Sequence, residues 1–183
     1  MTEGIVVPYD PEWPRLFEAE RARLQKVLAP WLERGIHHIG STSVPGLAAK
    51  PIIDMIAGVR DLEEARAAFE PLCSLGYEYR EHRPEAHCFW KPEPDVPLGP
   101  THHLHLTEPE SDIWRERFAF RDALRAEPAL AAEYEQWKLR HATTNAYTAD
   151  KRPFVSRVLA DAGVDLQPDS KRLSSGVLKQ RGS

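Results

Sequence analysis

The stretch HIGSTSVPGLAAKPIIDMIAGV, His38 to Val59, decides the fold. It begins in a short strand, Ile36 to Ile39, introduced by Gly35. Gly40 to Lys50 is then rich in small residues and carries Pro45-Gly46, a turn signal. Pro51 to Val59 follows as a nearly continuous apolar run, the pattern of a buried central strand. One charge, Asp54, interrupts it. A strand, a loop of small residues and a buried strand bearing one carboxylate form the unit around which the rest is arranged.

Upstream, Ile5-Val6-Val7, ended by Pro8, predicts a small edge strand. Asp10 reads as an N-cap, with Pro11 at the first helical position. From Glu12 to Leu32, Trp13, Leu16, Phe17, Leu24, Val27, Leu28 and Trp31 recur at helical spacing, with Pro30 as the stop. Downstream, Asp61 caps a helix from Leu62 to Leu75 that ends at Gly76. Tyr77 to Tyr79 and His87 to Trp90 read as strands, Pro92 to Pro100 as a loop, and His103 to Thr107 as the last strand. Ser111, Pro128 and Asp150 then each start a helix, and Gly163 closes the third. This order predicts an α+β fold: a small mixed β-sheet flanked by helices, with a helical C-terminal part. Residues 1–165 read as one domain and 166–183 as a polar, flexible tail.

Composition agrees with a single globular domain. Of 183 residues, 42% are hydrophobic and 28% charged. Lys and Arg number 24 against 28 Asp and Glu, a net charge of −4. That balance speaks against a nucleic-acid binder held by bulk positive charge and favours a small-molecule ligand. No apolar run reaches the roughly 18–20 residues of a membrane span, and the N-terminus lacks a signal peptide's pattern. Cys73 and Cys88 form no CxxC pair and read as reduced packing residues. A cytoplasmic protein is the expectation.

Three groups of residues could carry chemistry. A strand ending in Gly40-Ser41 opens a loop whose backbone N–H groups can cradle phosphate. Ser41, Thr42 and Ser43 offer hydroxyls and Lys50 a positive charge. Asp54, in an apolar strand, requires a partner or a metal; the plain alternative is a structural turn with Asp54 in a salt bridge. His103 and His105, two apart on a strand, share one face, and His102 points the other way. Two adjacent imidazoles suit a metal or a phosphate, or simply a polar strand face. Lys91, Arg121, Arg125, Lys138, Tyr147 and Lys151 form a cationic and aromatic set. Arg121 and Arg125 lie one turn apart on a helix, within reach of an anion or of neighbouring carboxylates.

The 38–59 string closely resembles the signature of the GrpB family, grouped with predicted nucleotidyltransferases of the polymerase-β-like superfamily. IVVPYDPEWPRLFEAERARL is similar to the family's opening, HHLHL at 102–106 to its histidine-bearing strand, and FRDALRAEPALAAEYEQWKLRHA with Tyr147, Lys151 and Phe154 to its helical end. The resemblance extends to about Gly163. It implies a nucleotidyltransferase-like fold in which Gly40-Ser41 holds a triphosphate and Asp54 is the first of a carboxylate pair around two Mg²⁺ ions. The second member of that pair would stand at position 56, which is Ile56, and the later strand offers His103 and His105 instead of a carboxylate. Imidazoles are poor ligands for Mg²⁺ but serve Mn²⁺ or Zn²⁺.

The implied activity is nucleotidyl transfer from a nucleoside triphosphate to a small-molecule acceptor, with a divalent metal, Mg or Mn, or Zn. On that reading Asp54 and His105 are catalytic, and Asp54, His103 and His105 hold the metal. His38, Gly40, Ser41, Thr42, Lys50, Lys91, Tyr147 and Lys151 surround the phosphorylated substrate. The alternative is a non-catalytic nucleotide- or anion-binding domain, or a folding accessory such as relatives fused to dephospho-CoA kinase; Ile56 favours it. The chain has no GxxxxGK[ST] string and so no kinase P-loop of that class.

Overall fold

A computed structural model describes residues 6–92, 100–141 and 147–164. Among them are five strands and five α-helices. In chain order these are α1 (Trp13–Leu28), β1 (Leu32–Ile39), β2 (Ile53–Val59), α2 (Phe69–Ser74), β3 (Glu78–Arg83), β4 (Ala86–Pro92), β5 (Pro100–Thr107), α3 (Asp112–Ala126), α4 (Pro128–His141) and α5 (Tyr147–Asp161). The sheet order is β1-β2-β5-β4-β3. The β2–β5 pair is parallel and the others are antiparallel, which makes the sheet mixed and the fold α+β as predicted.

Strand alternation sorts the sheet's side chains to two faces. Ile53, Met55, Ala57 and Val59 of β2, with Phe89, Leu104 and Leu106, turn to one side and pack with Trp13, Phe17, Leu24, Leu28 and Leu72 into the main core. Asp54, Cys88, Trp90, His103 and His105 turn to the other. That second face is covered by α3, whose Trp114 ring lies against Gly58: a Cβ there would be 2.9 Å from the ring, so a larger residue would push the helix off the sheet. A smaller core, with Leu124, Tyr134, Phe154 and Val158, joins α3, α4 and α5 to Val44 and Leu47 of the loop after β1.

Several boundaries differ from the sequence reading. Val6 and Val7 form no strand; Val7 makes one bridge with Ala49, and Ile5 lies outside the described residues. The first helix stops at Leu28, and Leu32 already belongs to β1. Asp10 accepts from the Glu12 N–H at 2.9 Å, so it caps the turn before the helix rather than the helix itself. The helix expected over 62–75 is a 3₁₀ turn, Glu64–Ala68, followed by the short α2. Pro71 has no N–H to continue an α-helical ladder, which accounts for the break. Asp61 still caps it, accepting from Glu64 N at 2.8 Å. Ser111 caps α3 as expected. Asp150 lies inside α5, which starts at Tyr147. The tail and most of the Pro92–Pro100 loop lie outside the described residues. Among the described residues, no helix is long and apolar enough to cross a membrane.

Candidate functional site

β1 ends at Ile39, and at Gly40 the chain turns with φ 71° and ψ −175°, a conformation essentially reserved for glycine. The turn continues as a single 3₁₀ turn, Ser41–Ser43. Asp54 of β2 lies alongside. A Cβ on Gly40 would overlap Asp54 Oδ2 and sit 2.9 Å from the Asp54 Cβ, so the carboxylate fills the space that glycine leaves open. Asp54 is not fully buried: 30% of its side chain is exposed.

The loop, Asp54 and the polar sheet face border one cavity of about 330 Å³. Gly40, Ser41, Thr42, Lys50, Asp54, His103, His105 and Lys151, all singled out from the sequence, line it. Arg80, Trp90, Arg117, Tyr134 and Lys138 line it too. Lys138 belongs to the cationic set, but the sequence assigns it no role. Arg117 and Trp90 give no local signal; only the pairing of β4 with β5 and the docking of α3 bring them to the cavity.

Two expected ligand contacts face elsewhere. In β4, Cys88 and Trp90 face the cavity, so alternation sends Lys91 through the other side of the sheet. There its ammonium bonds Glu20 at 2.8 Å, beside Tyr77. His38 likewise faces α1, with its ring stacked on Phe17 at 4.8 Å. Thr42 Oγ1 donates to the Ile52 carbonyl at 3.0 Å, so in its 3.0 Å contact with His38 Nε2 it is the acceptor. That assigns the His38 proton to Nε2. Burial, reinforced by Arg125 and Arg121 and opposed by Asp54, lowers the His38 pKa to about 4, which keeps the ring neutral. His38 therefore braces the loop. Thr42 borders the cavity with its hydroxyl already engaged, and the Ser43 hydroxyl is bound to the Gly40 carbonyl at 2.6 Å. Arg121 and Arg125 also hold the loop, donating to the His38 and Ser43 carbonyls. Tyr147 falls in α5, and its side chain lies outside the description.

At the cavity floor, Asp54 Oδ1 and His103 Nδ1 are 2.9 Å apart. Burial raises the Asp54 carboxyl, but the His103 hydrogen bond and the positive fields of His103, His105 and Arg117 outweigh it and hold the group below the usual carboxylate range. Trp90 stacks on His103 at 5.2 Å and remains 43% exposed at the rim. Cys88 Sγ lies 3.1 Å from His105 Nδ1, and burial pushes the thiol up to about 12, so it is a neutral S–H. Lys138 is buried with its ammonium on the Ala48 carbonyl. Burial, helped by repulsion from Lys151, lowers its pKa to about 7.

These donors do not fit the paired-carboxylate metal centre. Such a centre needs several oxygens converging on hard cations. Asp54 has one oxygen on His103 and the other packed over Gly40. Ile56 is fully buried in register with His105. The buried Nε2 of His103 has no hydrogen-bond partner, but one nitrogen is not a cation site. Among the described residues, no group of three or more His, Cys, Asp or Glu could hold a metal ion.

The sequence profile of the GrpB protein family matches residues 4–161. The chain belongs to the GrpB family. It is 34% identical over 165 residues to glutamate-rich protein GrpB of Alkalihalophilus pseudofirmus, covering 86% of this chain and 94% of that one. A crystal structure of the conserved protein GrpB from Enterococcus faecalis matches with a TM-score of 0.75 and 32% identity over 86% of this chain and 96% of that one. An 80-residue segment is 39% identical to part of a dephospho-CoA kinase of Mycolicibacterium paratuberculosis, 42% of this chain and 19% of that protein. A mutant Cid1 poly(U) polymerase bound to MgATP matches with a TM-score of 0.50 over 75% of this chain and 46% of that one. At 14% identity that likeness concerns the fold alone, which this GrpB chain shares with Cid1.

Proposed function

We propose that the cavity binds a phosphorylated small molecule, with a nucleoside triphosphate the first choice. One observation carries this reading. The Gly40-Ser41 turn and basic side chains from four separate segments, Lys50, Arg117 on α3, Lys151 on α5 and the part-protonated Lys138 on α4, border the same space. Cations brought together from such distant positions repel one another, and a bound anion relieves that repulsion. Trp90 at the rim offers an aromatic surface for a base or other ring.

A thermal-melt titration with nucleoside triphosphates and phosphorylated metabolites tests it. A ligand at a hundred times its Kd stabilises the native state by about 2.7 kcal/mol, about 5–10 °C for a chain of this size. Lys50→Met should remove the shift. If no phosphorylated compound raises the melting temperature, the reading is wrong.

A second reading, nucleotidyl transfer to a small acceptor, is supported by the position of Asp54 on β2 beside the Gly-Ser turn. It predicts release of pyrophosphate from the bound triphosphate once an acceptor is supplied, and loss of that release in Asp54→Asn. Binding without turnover would instead support the accessory-domain alternative, with which Ile56 and the likeness to part of a dephospho-CoA kinase are consistent.

A further inference from the structure

We infer that the cavity takes its nucleotide as the free polyanion rather than as the Mg²⁺ complex, an inference that rests on the binding reading above. Its warrant is how the charges at the site are already engaged. A metal–nucleotide complex is held largely through carboxylate oxygens that complete the cation's coordination. The cavity floor has one candidate, Asp54, and neither of its oxygens is disposed for that task. Oδ1 is 2.9 Å from His103 Nδ1, and Oδ2 fills the space above Gly40 that a Cβ would occupy. The strand position where a second oxygen ligand would be placed is Ile56, fully buried. On β5, alternation puts His103 and His105 opposite Asp54 and Ile56, so nitrogen stands where a further carboxylate would serve.

The walls, in contrast, supply positive charge directly. Lys50, Arg117, Lys138 and Lys151 border the cavity against the carboxylates of Asp54 and Glu81. One oxygen of Asp54 is already engaged by His103. A divalent cation entering with the nucleotide would meet like charge and find few oxygens, and it would cancel two of the negative charges to which the lysines and arginine respond. In this site the fixed cations perform the task that bound metal performs where paired carboxylates exist. The Asp54–His103 contact is then an internal brace that holds the histidine strand against β2.

Isothermal titration of the purified chain with ATP decides it, once with EDTA and once with excess Mg²⁺, at matched ionic strength. The expected result is an affinity at least threefold higher in EDTA. In Lys151→Gln that preference should shrink, because the lost charge contributes more to ATP than to its Mg²⁺ complex. A preference below threefold, or tighter binding with Mg²⁺, overturns the inference and leaves the binding reading intact. No ATP binding in either condition overturns the inference, and the binding reading then falls only if the melt screen finds no other phosphorylated ligand.

Discussion

Replacing Gly40 by alanine should damage the fold and the cavity together. The residue has φ 71° and ψ −175°, where a side chain costs on the order of 1–3 kcal/mol. The new methyl would also overlap Asp54 Oδ2 and lie 2.9 Å from Asp54 Cβ and 3.0 Å from Cγ. The carboxylate cannot move freely, because Oδ1 is tied to His103 and its own backbone sits between β1 and β5. Overpacking of this kind adds about 1–3 kcal/mol. A total near 4 kcal/mol corresponds to a fall in melting temperature of about 8–16 °C. Gly46 supplies the control. It has φ 80° with no atom within 4 Å of an added Cβ, so Gly46→Ala carries backbone strain without the clash and should lose about 1–2 kcal/mol. The double-mutant cycle separates the two effects. In an Asp54→Ala background the steric part of the Gly40→Ala penalty should shrink by about 1–2 kcal/mol, read from urea denaturation. A Gly40→Ala loss no larger than that of Gly46→Ala, or the same loss with and without the Asp54 carboxylate, would refute the packing argument.

Other expectations follow from the buried charges. Lys138 has a folded pKa of about 7, below the ordinary lysine value of 10.5, so the unfolded chain holds more protons between those limits. Stability should therefore rise with pH from about 7 to 10, and Lys138→Met should flatten that rise in urea melts at stepped pH. His38, lowered from 6.5 to about 4, should make stability fall as pH drops through that interval, by on the order of 3 kcal/mol. His38→Gln should lessen the acid loss measured the same way. Removing Glu20 leaves Lys91 buried without its counter-charge, so Glu20→Ala should cost about 3–5 kcal/mol. Lys91→Met should leave ATP affinity within twofold by calorimetry, since the ammonium is on the far side of the sheet.

Much of this architecture is legible in the residue order. The apolar run after Lys50 and the His-x-His strand both announce themselves locally, because period-two alternation needs no knowledge of partners. The same alternation excludes Lys91 and His38 from the cavity once the facing of β1 and β4 is known; resemblance groups them with the site, and sheet register separates them from it. Arg117 and Trp90 are not legible. Each belongs to an ordinary amphipathic element, and its position at the cavity depends on how α3 and the β3–β4 hairpin dock. The continuous α-helix expected over 62–75 gives way to a 3₁₀ turn up to Ala68, because Pro71, inside α2, has no N–H for the Ala67 carbonyl, and the apolar spacing masks that local rule.

β5 reaches β2 by being laid between it and β4, and the Asp54–His103 contact closes 49 residues of chain. A parallel pairing at that separation meets its loop-closure entropy before its hydrogen bonds form, which places it among the later events of folding. The lining is divided between the segment up to β2, with the Gly40-Ser41 turn, Lys50 and Asp54, and the segment from β3 onward, with Arg117, Lys138 and Lys151. During synthesis or refolding, ligand capture should therefore appear in the final kinetic phase, so that ATP reports complete assembly of the sheet and cannot act as a template for its earlier steps.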